Sequence, residues 1–216
     1  MSREGRLQLA GAALLLLASV ALALHGQPNP EQKWAYMAPQ YRHQLYERLV
    51  YIDPAELLSL MNDDYIQLVV YDVRNERDWN LFHLVDSERM PLESLPGQRD
   101  RLLALPENAV VVLVSNDENL ATQAWKHLMV IAKPNAYILE GGLNHWLDIY
   151  GVAPEDAGGQ DQTATVLQDG TMRHPFAQAL GDRHAAAQPD EHHFPARSYE
   201  NRVRLIKKIA KAGGCS

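Results

Sequence analysis

The chain has 216 residues, 46% of them hydrophobic, and a formal net charge of −7. That length supports one ordinary domain with a real core plus appendages and excludes two full domains. The acidic balance excludes a nucleic-acid surface, which needs concentrated positive charge, and a lone cysteine, Cys215, excludes an intrachain disulfide or a cysteine-rich metal site.

Arg3 and Arg6 precede an uncharged run from Leu9 to Leu24, and Gln27-Pro28-Asn29-Pro30 ends it. A spanning helix wants about 17 to 25 apolar residues and a signal-peptide core about 7 to 15, so the run suits either. Residues 1–27 therefore read as a signal anchor and transmembrane helix, or as a signal peptide cleaved after Ala21-Leu22-Ala23. In both cases the arginines hold the extreme N-terminus in the cytoplasm and the domain faces outward, at the cell envelope or in a periplasm. Residues 28–48 form an aromatic linker with helical spacing from Pro39 onward. Its Trp34, Tyr36, Tyr41 and Tyr46 either pack on the domain or, for the first two, sit at a membrane interface.

From 49 to 150 short apolar runs alternate with helical patterns. Val50 to Ile52 reads as a strand, and Pro54 to Met61 as a helix with Asp53 as N-cap and Pro54 in the first turn. Ile66 to Val73 and Ala109 to Val114 are apolar runs of the kind found in strands buried on both faces. Asn119 to Ile131 places Ala121, Ala124, Trp125, Leu128 and Ile131 at helical spacing, and Ala136 to Leu139 is a strand before a helix through Trp146. The alternation predicts an α/β domain whose mostly parallel sheet is covered by helices on both faces. Residues 151–197, rich in Gly, Pro, Gln, Asp, Ala and His, read as a low-order tether that wraps the domain. Residues 198–216 read as a basic amphipathic helix over 199–211, capped by Ser198 and followed by Gly213-Gly214-Cys215.

Four segments carry a resemblance. They are Tyr71-Asp72-Val73-Arg74 with Glu76 and Trp79; His83 with Pro91; the run into Ser115-Asn116-Asp117-Glu118-Asn119-Leu120; and Tyr137-Ile138-Leu139-Glu140-Gly141-Gly142 closed by Trp146. In order and spacing they are similar to the motifs of the rhodanese-like domain family, with Phe82, Asp86 and Ser87 where that family has two glycines and an alanine. The resemblance covers roughly residues 49 to 150, leaving the N-terminal hydrophobic helix and the C-terminal tail outside it, and implies a three-layer sandwich. It also implies a six-residue loop whose backbone amides surround a catalytic cysteine, which in this chain falls at Ser115.

A thiolate forms readily near neutral pH, whereas a serine hydroxyl needs an adjacent base and cannot store sulfur as a persulfide. Asp117 and Glu118 add negative charge where an anion would enter. One such charge about 5 Å from a bound anion costs on the order of 3 kcal/mol at an effective dielectric near 20. Asp72 and Arg74 read as supports for the loop, His83 as a packing residue, and Gly141-Gly142 as a tight turn. His174, His184, His192 and His193 fit no strong metal-ligand spacing, so no metal or cofactor is expected. The leading expectation is a catalytically degenerate binding or regulatory module. One alternative uses Cys215, near Lys207, Lys208 and Lys211, as a sulfur carrier; another is structural recruitment to an envelope complex, with the 199–211 segment meeting a protein partner or anionic lipid.

Overall fold

The computed structural model describes residues 11–17, 19–20, 28–106, 108–131, 135–151, 170–174, 176 and 178–204. Five parallel strands form one sheet in the order β1-β5-β4-β2-β3: β1 Tyr51–Ile52, β2 Leu68–Asp72, β3 Glu88–Arg89, β4 Val110–Val114 and β5 Ala136–Leu139. Alternation along β4 sends Val110, Val112 and Val114 into one core and Val111 and Leu113 into the other. Both faces are therefore covered, which is why this strand reads as an unbroken apolar run.

Helix α1 spans Pro30–Tyr46, α2 Pro54–Met61, α3 Glu76–Leu81, α4 Arg99–Ala104, α5 Asn119–Val130 and α6 Gly142–Tyr150. On one face, Leu57 and Leu58 of α2 and Leu143, Trp146, Leu147 and Tyr150 of α6 meet Ile52, Val70 and Leu139. On the other, Leu102 of α4 and Ala121, Ala124, Trp125 and Leu128 of α5 meet Tyr51, Tyr71 and Ile138. The layering is the three-layer α/β arrangement that the alternation of runs predicts, and α2 carries the expected cap, with Asp53 accepting from the Ala55 amide at 2.7 Å.

Helix α1 starts nine residues before the Pro39 boundary suggested by its aromatic spacing. Asn29 accepts from the Gln32 amide at 2.8 Å while the Gln32 side chain accepts from the Asn29 amide at 3.0 Å, and Pro30 fills the first turn. Pro39 sits inside the helix. Its cost is offset by packing, because Trp34 stacks on Tyr41 and both rings meet Trp125 edge-on. Tyr36, grouped with Trp34 in the sequence, is instead 89% exposed.

The tail also departs from expectation. Among the described residues 170–174, 176 and 178–204, the stretch read as a low-order tether wrapping the domain is an irregular strap held by specific contacts. Phe82 pairs with Gly181 in a parallel bridge, Val85 donates to the Ala187 carbonyl at 3.1 Å, and the Trp146 indole donates to the Ala186 carbonyl at 2.7 Å. Ala186 and Ala187 are buried in the α2–α6 core. The basic helix does not begin at Tyr199, since 199–204 have no helical structure. The amides of Arg202 and Val203 instead donate to the buried Glu56 carboxylate, and that of Arg204 to the Tyr137 hydroxyl, so they are unavailable to a helix ladder. Residues 205–216, including Cys215, lie outside the described residues.

Part of the apolar N-terminal run, residues 9, 10, 18 and 21–24, also lies outside them. Residues 11–17 and 19–20 are helical, and Leu14, Leu15, Leu16, Leu17 and Val20 are exposed. Among the described residues no helix is long and apolar enough to cross a membrane.

Two predictions follow from the strap. Glu56→Ala leaves two amides without their acceptor and is expected to cost about 1 to 3 kcal/mol in urea unfolding while exposing 198–204 to limited proteolysis. Unchanged stability and protection would show that the carboxylate does not hold this segment. Stability should also fall as pH drops. The His145 imidazole is held below its usual range by burial and then by Arg197, and that of His184 by burial and then by His174. A depressed histidine contributes stability that is present above its unfolded pKa of about 6.5 and lost as pH falls through the folded value. The urea midpoint should therefore decline below about pH 6.5, and less so in His145→Gln/His184→Gln; equal slopes in both proteins would contradict this.

Candidate functional site

The loop Ser115–Leu120 begins where β4 ends and runs into α5, which puts it at the carboxyl ends of the strands, the usual place for a site in an open parallel sheet. Here the loop is closed. Ser115 is 1% exposed, and Asn116, Asp117 and Glu118 are also buried.

Ser115 Oγ donates to the Asp117 carbonyl at 2.5 Å and accepts from the Ala121 amide at 3.1 Å. Its proton is committed to a carbonyl, so no base receives it and the oxygen does not stand ready as a nucleophile. The carbonyls of Ser115 and Asn116 accept in turn from the Leu143 and Asn144 amides at the start of α6. Gly142 makes this close approach possible: its φ is +65°, and a Cβ there would lie 2.6 Å from the carbonyl oxygens of Ser115 and Asp117.

The two acids do something other than repel an incoming anion. Asp117 accepts from the Asn119 amide and side chain and from the Gly170 amide, each at 2.8 Å. Glu118 accepts from the Gly141 amide at 2.7 Å and from the Arg48 guanidinium at 2.6 and 3.2 Å. Arg48 also reaches Glu140 and lies over the Tyr51 ring at 4.1 Å. Its own φ is +53°, uncommon for a residue with a side chain, and that turn out of α1 aims the guanidinium back at the loop. The sequence reading treats Asp117 and Glu118 as free charges in an open bowl; the geometry corrects this, because both are internal acceptors that take up the donors around the loop.

Asp72 and Arg74, at the end of β2, support the loop from below. Both are fully buried. Arg74 Nε donates to Asp72 at 2.9 and 3.0 Å, Nη2 to Asp72 at 2.5 Å and to the Phe82 carbonyl at 2.6 Å, and Nη1 to Asn116 Oδ1 at 2.8 Å. His83 stacks on Trp79 with ring centroids 3.7 Å apart and hydrogen-bonds its carbonyl. Asp86 stands where the resemblance expects a glycine and keeps a φ of +57°, a conformation Asp tolerates better than most residues.

Above the loop lies a part of the site that sequence reasoning missed. The segment Gly170–His174 crosses it. Asn116 Nδ2 donates to the Gly170 carbonyl at 3.1 Å, and Asn144 brackets the segment by donating to the Thr171 carbonyl at 2.7 Å and accepting from the Arg173 amide at 2.8 Å. Among the described residues no group of three His, Cys, Asp or Glu side chains could hold a metal ion; His174 bonds to Asp148 and His184 caps the Ala186 amide.

A parallel α/β sandwich with a six-residue loop after its central strand, a buried Asp-x-Arg beneath it and a Gly-Gly turn beside it defines a rhodanese-like architecture. Residues 53–149 match the family described as Rhodanese-like domain. Solved structures similar to the chain include the BH2092 protein of Bacillus halodurans, at 22% identity over 50% of this chain and 79% of that one with a TM-score of 0.42. Others are a rhodanese-related protein of Thermoplasma volcanium, at 19% over 45% and 90% with a TM-score of 0.38, and the rhodanese-like domain of the Alr3790 protein of Anabaena sp., at 19% over 74% and 96% with a TM-score of 0.41. No curated protein matches the chain.

Removing Arg74 strands a buried carboxylate, so Arg74→Ala is expected to destabilise the protein by about 3 to 5 kcal/mol in chemical denaturation. A loss below about 1 kcal/mol would mean that the pair is not the loop's support.

Proposed function

We propose that this rhodanese-like domain does not transfer sulfur through its loop and serves as a binding or regulatory module. The observation that carries the reading is the double commitment of Ser115 Oγ, donor to the Asp117 carbonyl and acceptor from the Ala121 amide, in a buried loop. A sulfurtransferase needs an ionisable nucleophile open to its donor; this position offers a hydroxyl with no base, and Asp117 and Glu118 engage the neighbouring Gly170 and Gly141 amides. We place the module at the cell envelope, anchored or exported by the apolar N-terminal run behind Arg3 and Arg6. Support for this is the composition of that run and the exposure of Leu14 to Leu17.

The test is transfer of sulfur from thiosulfate to cyanide by the Cys215→Ala protein, which removes the tail thiol from the question. No turnover above the uncatalysed rate is expected; turnover in the ordinary enzymatic range, about 1 per second or more, would overturn the reading. Ser115→Cys is expected to stay inactive in the same assay, because the new thiol is buried and Gly170–His174 crosses the loop above it. Vigorous turnover in that single variant would show that the loop opens readily and that only the nucleophile is missing.

A further inference from the structure

We propose that the surface above the closed loop is a peptide groove, filled in cis by Gly170–His174, and that it takes an extended, neutral-to-basic partner segment with a glycine followed three residues on by an arginine. This rests on the reading of the domain as a binding module and names the chemistry of what it binds.

The groove reads main chain first. Asp117 and Asn116 hold the amide and carbonyl of Gly170 at 2.8 and 3.1 Å, and Asn144 holds the Thr171 carbonyl and Arg173 amide at 2.7 and 2.8 Å. Four hydrogen bonds between side chains and backbone, two donated by each, are typical of extended-peptide recognition, in which the main chain supplies affinity and side-chain positions supply selectivity. The receiving groups are fixed beforehand. Asn116 is held by Arg74 and donates to Asp78 at 2.7 Å, and the Asn144 amide donates to the Asn116 carbonyl.

Selectivity comes from three positions. Gly170 has a φ of +78°, which disfavours any residue with a Cβ where the chain meets Asn116 and Asp117. Met172 packs against the α2–α6 core, an apolar anchor for an unbranched side chain. Asp148 on α6 takes Arg173 Nη2 at 2.7 Å and His174 Nε2 at 2.9 Å, so the far end favours a cation. A tethered segment acts at an effective concentration of order millimolar, so a partner has to bring matching chemistry, not merely bulk, to displace it.

The test uses the full chain carrying Met172→Asp/Arg173→Asp, which weakens the cis segment, and a fluorescent peptide of residues 168–176, Gln-Asp-Gly-Thr-Met-Arg-His-Pro-Phe. Anisotropy should show the peptide binding this variant at least about tenfold more tightly than the unaltered chain, with hydrogen exchange at the backbone amides of positions 170 and 173 faster in the variant. Adding Asp148→Asn, a surface change that leaves the core alone, should weaken peptide binding about tenfold, and Asn144→Ala should abolish it. The proposal is overturned if the amides are freed and the peptide does not bind, if they stay protected in the double variant, or if binding is indifferent to Asp148→Asn. Sulfur transfer measured on the opened variant reports separately on catalysis: turnover there would defeat the noncatalytic reading and leave the groove standing, whereas absent peptide binding without turnover would defeat the groove alone.

Discussion

The guanidinium of Arg74 has no contact with solvent, so each of its N–H groups must find an acceptor inside the protein or impose a desolvation cost of several kcal/mol. The acceptors it finds come from three separate pieces of chain: Asp72 at the end of β2, the Phe82 carbonyl beyond α3, and Asn116 in the loop after β4. One buried cation thus sets the distance between the central strands and the segment that follows α3. It also fixes Asn116, whose remaining side-chain nitrogen reaches Asp78 and Gly170. Loop, helix and strap are coupled through that one amide.

Above this support, the features that would make a rhodanese-like loop reactive have been turned inward. Backbone amides at such a loop suit an anion because they lie at strand and helix ends with their dipoles pointing out of the sheet. In this chain a hydroxyl accepts from Ala121, the Glu118 carboxylate accepts from Gly141, and the Asp117 carboxylate accepts from Asn119 and Gly170. Arg48, turned by its unusual backbone, completes the neutralisation of Glu118 from outside. Satisfying those donors internally stabilises the loop and makes these four amides unavailable to an external anion. A surface that recognises main chain is what is left above it, through Asn116 and Asn144.

Part of this is legible in the sequence. Val110 to Val114 is apolar at every position because both faces of β4 are covered, and Ser115 to Leu120 follows it directly into α5, beside Gly142. The roles of Asp117 and Glu118 were not legible, since nothing in their neighbourhood of sequence reveals that Arg48 or Gly170 would meet them. The strap was illegible for a related reason. Its hydrogen bonds join main chain to side chains far away, such as Glu56 and Asn144, and so leave no periodic pattern to read. The start of α1 is a different case: Asn29 and Gln32 form a capping box that the sequence contains, ahead of the more conspicuous Pro39.

The central claim is that the loop is a filled structural element rather than a receptive bowl. Backbone hydrogen exchange at Ala121, Gly141, Leu143 and Asn144 in the unaltered protein tests it most directly, because those amides would face an incoming anion or solvent if the loop were open. The account predicts protection close to that of the β4 amides. Exchange at rates typical of an exposed loop, or protection that appears only when thiosulfate is added, would contradict it.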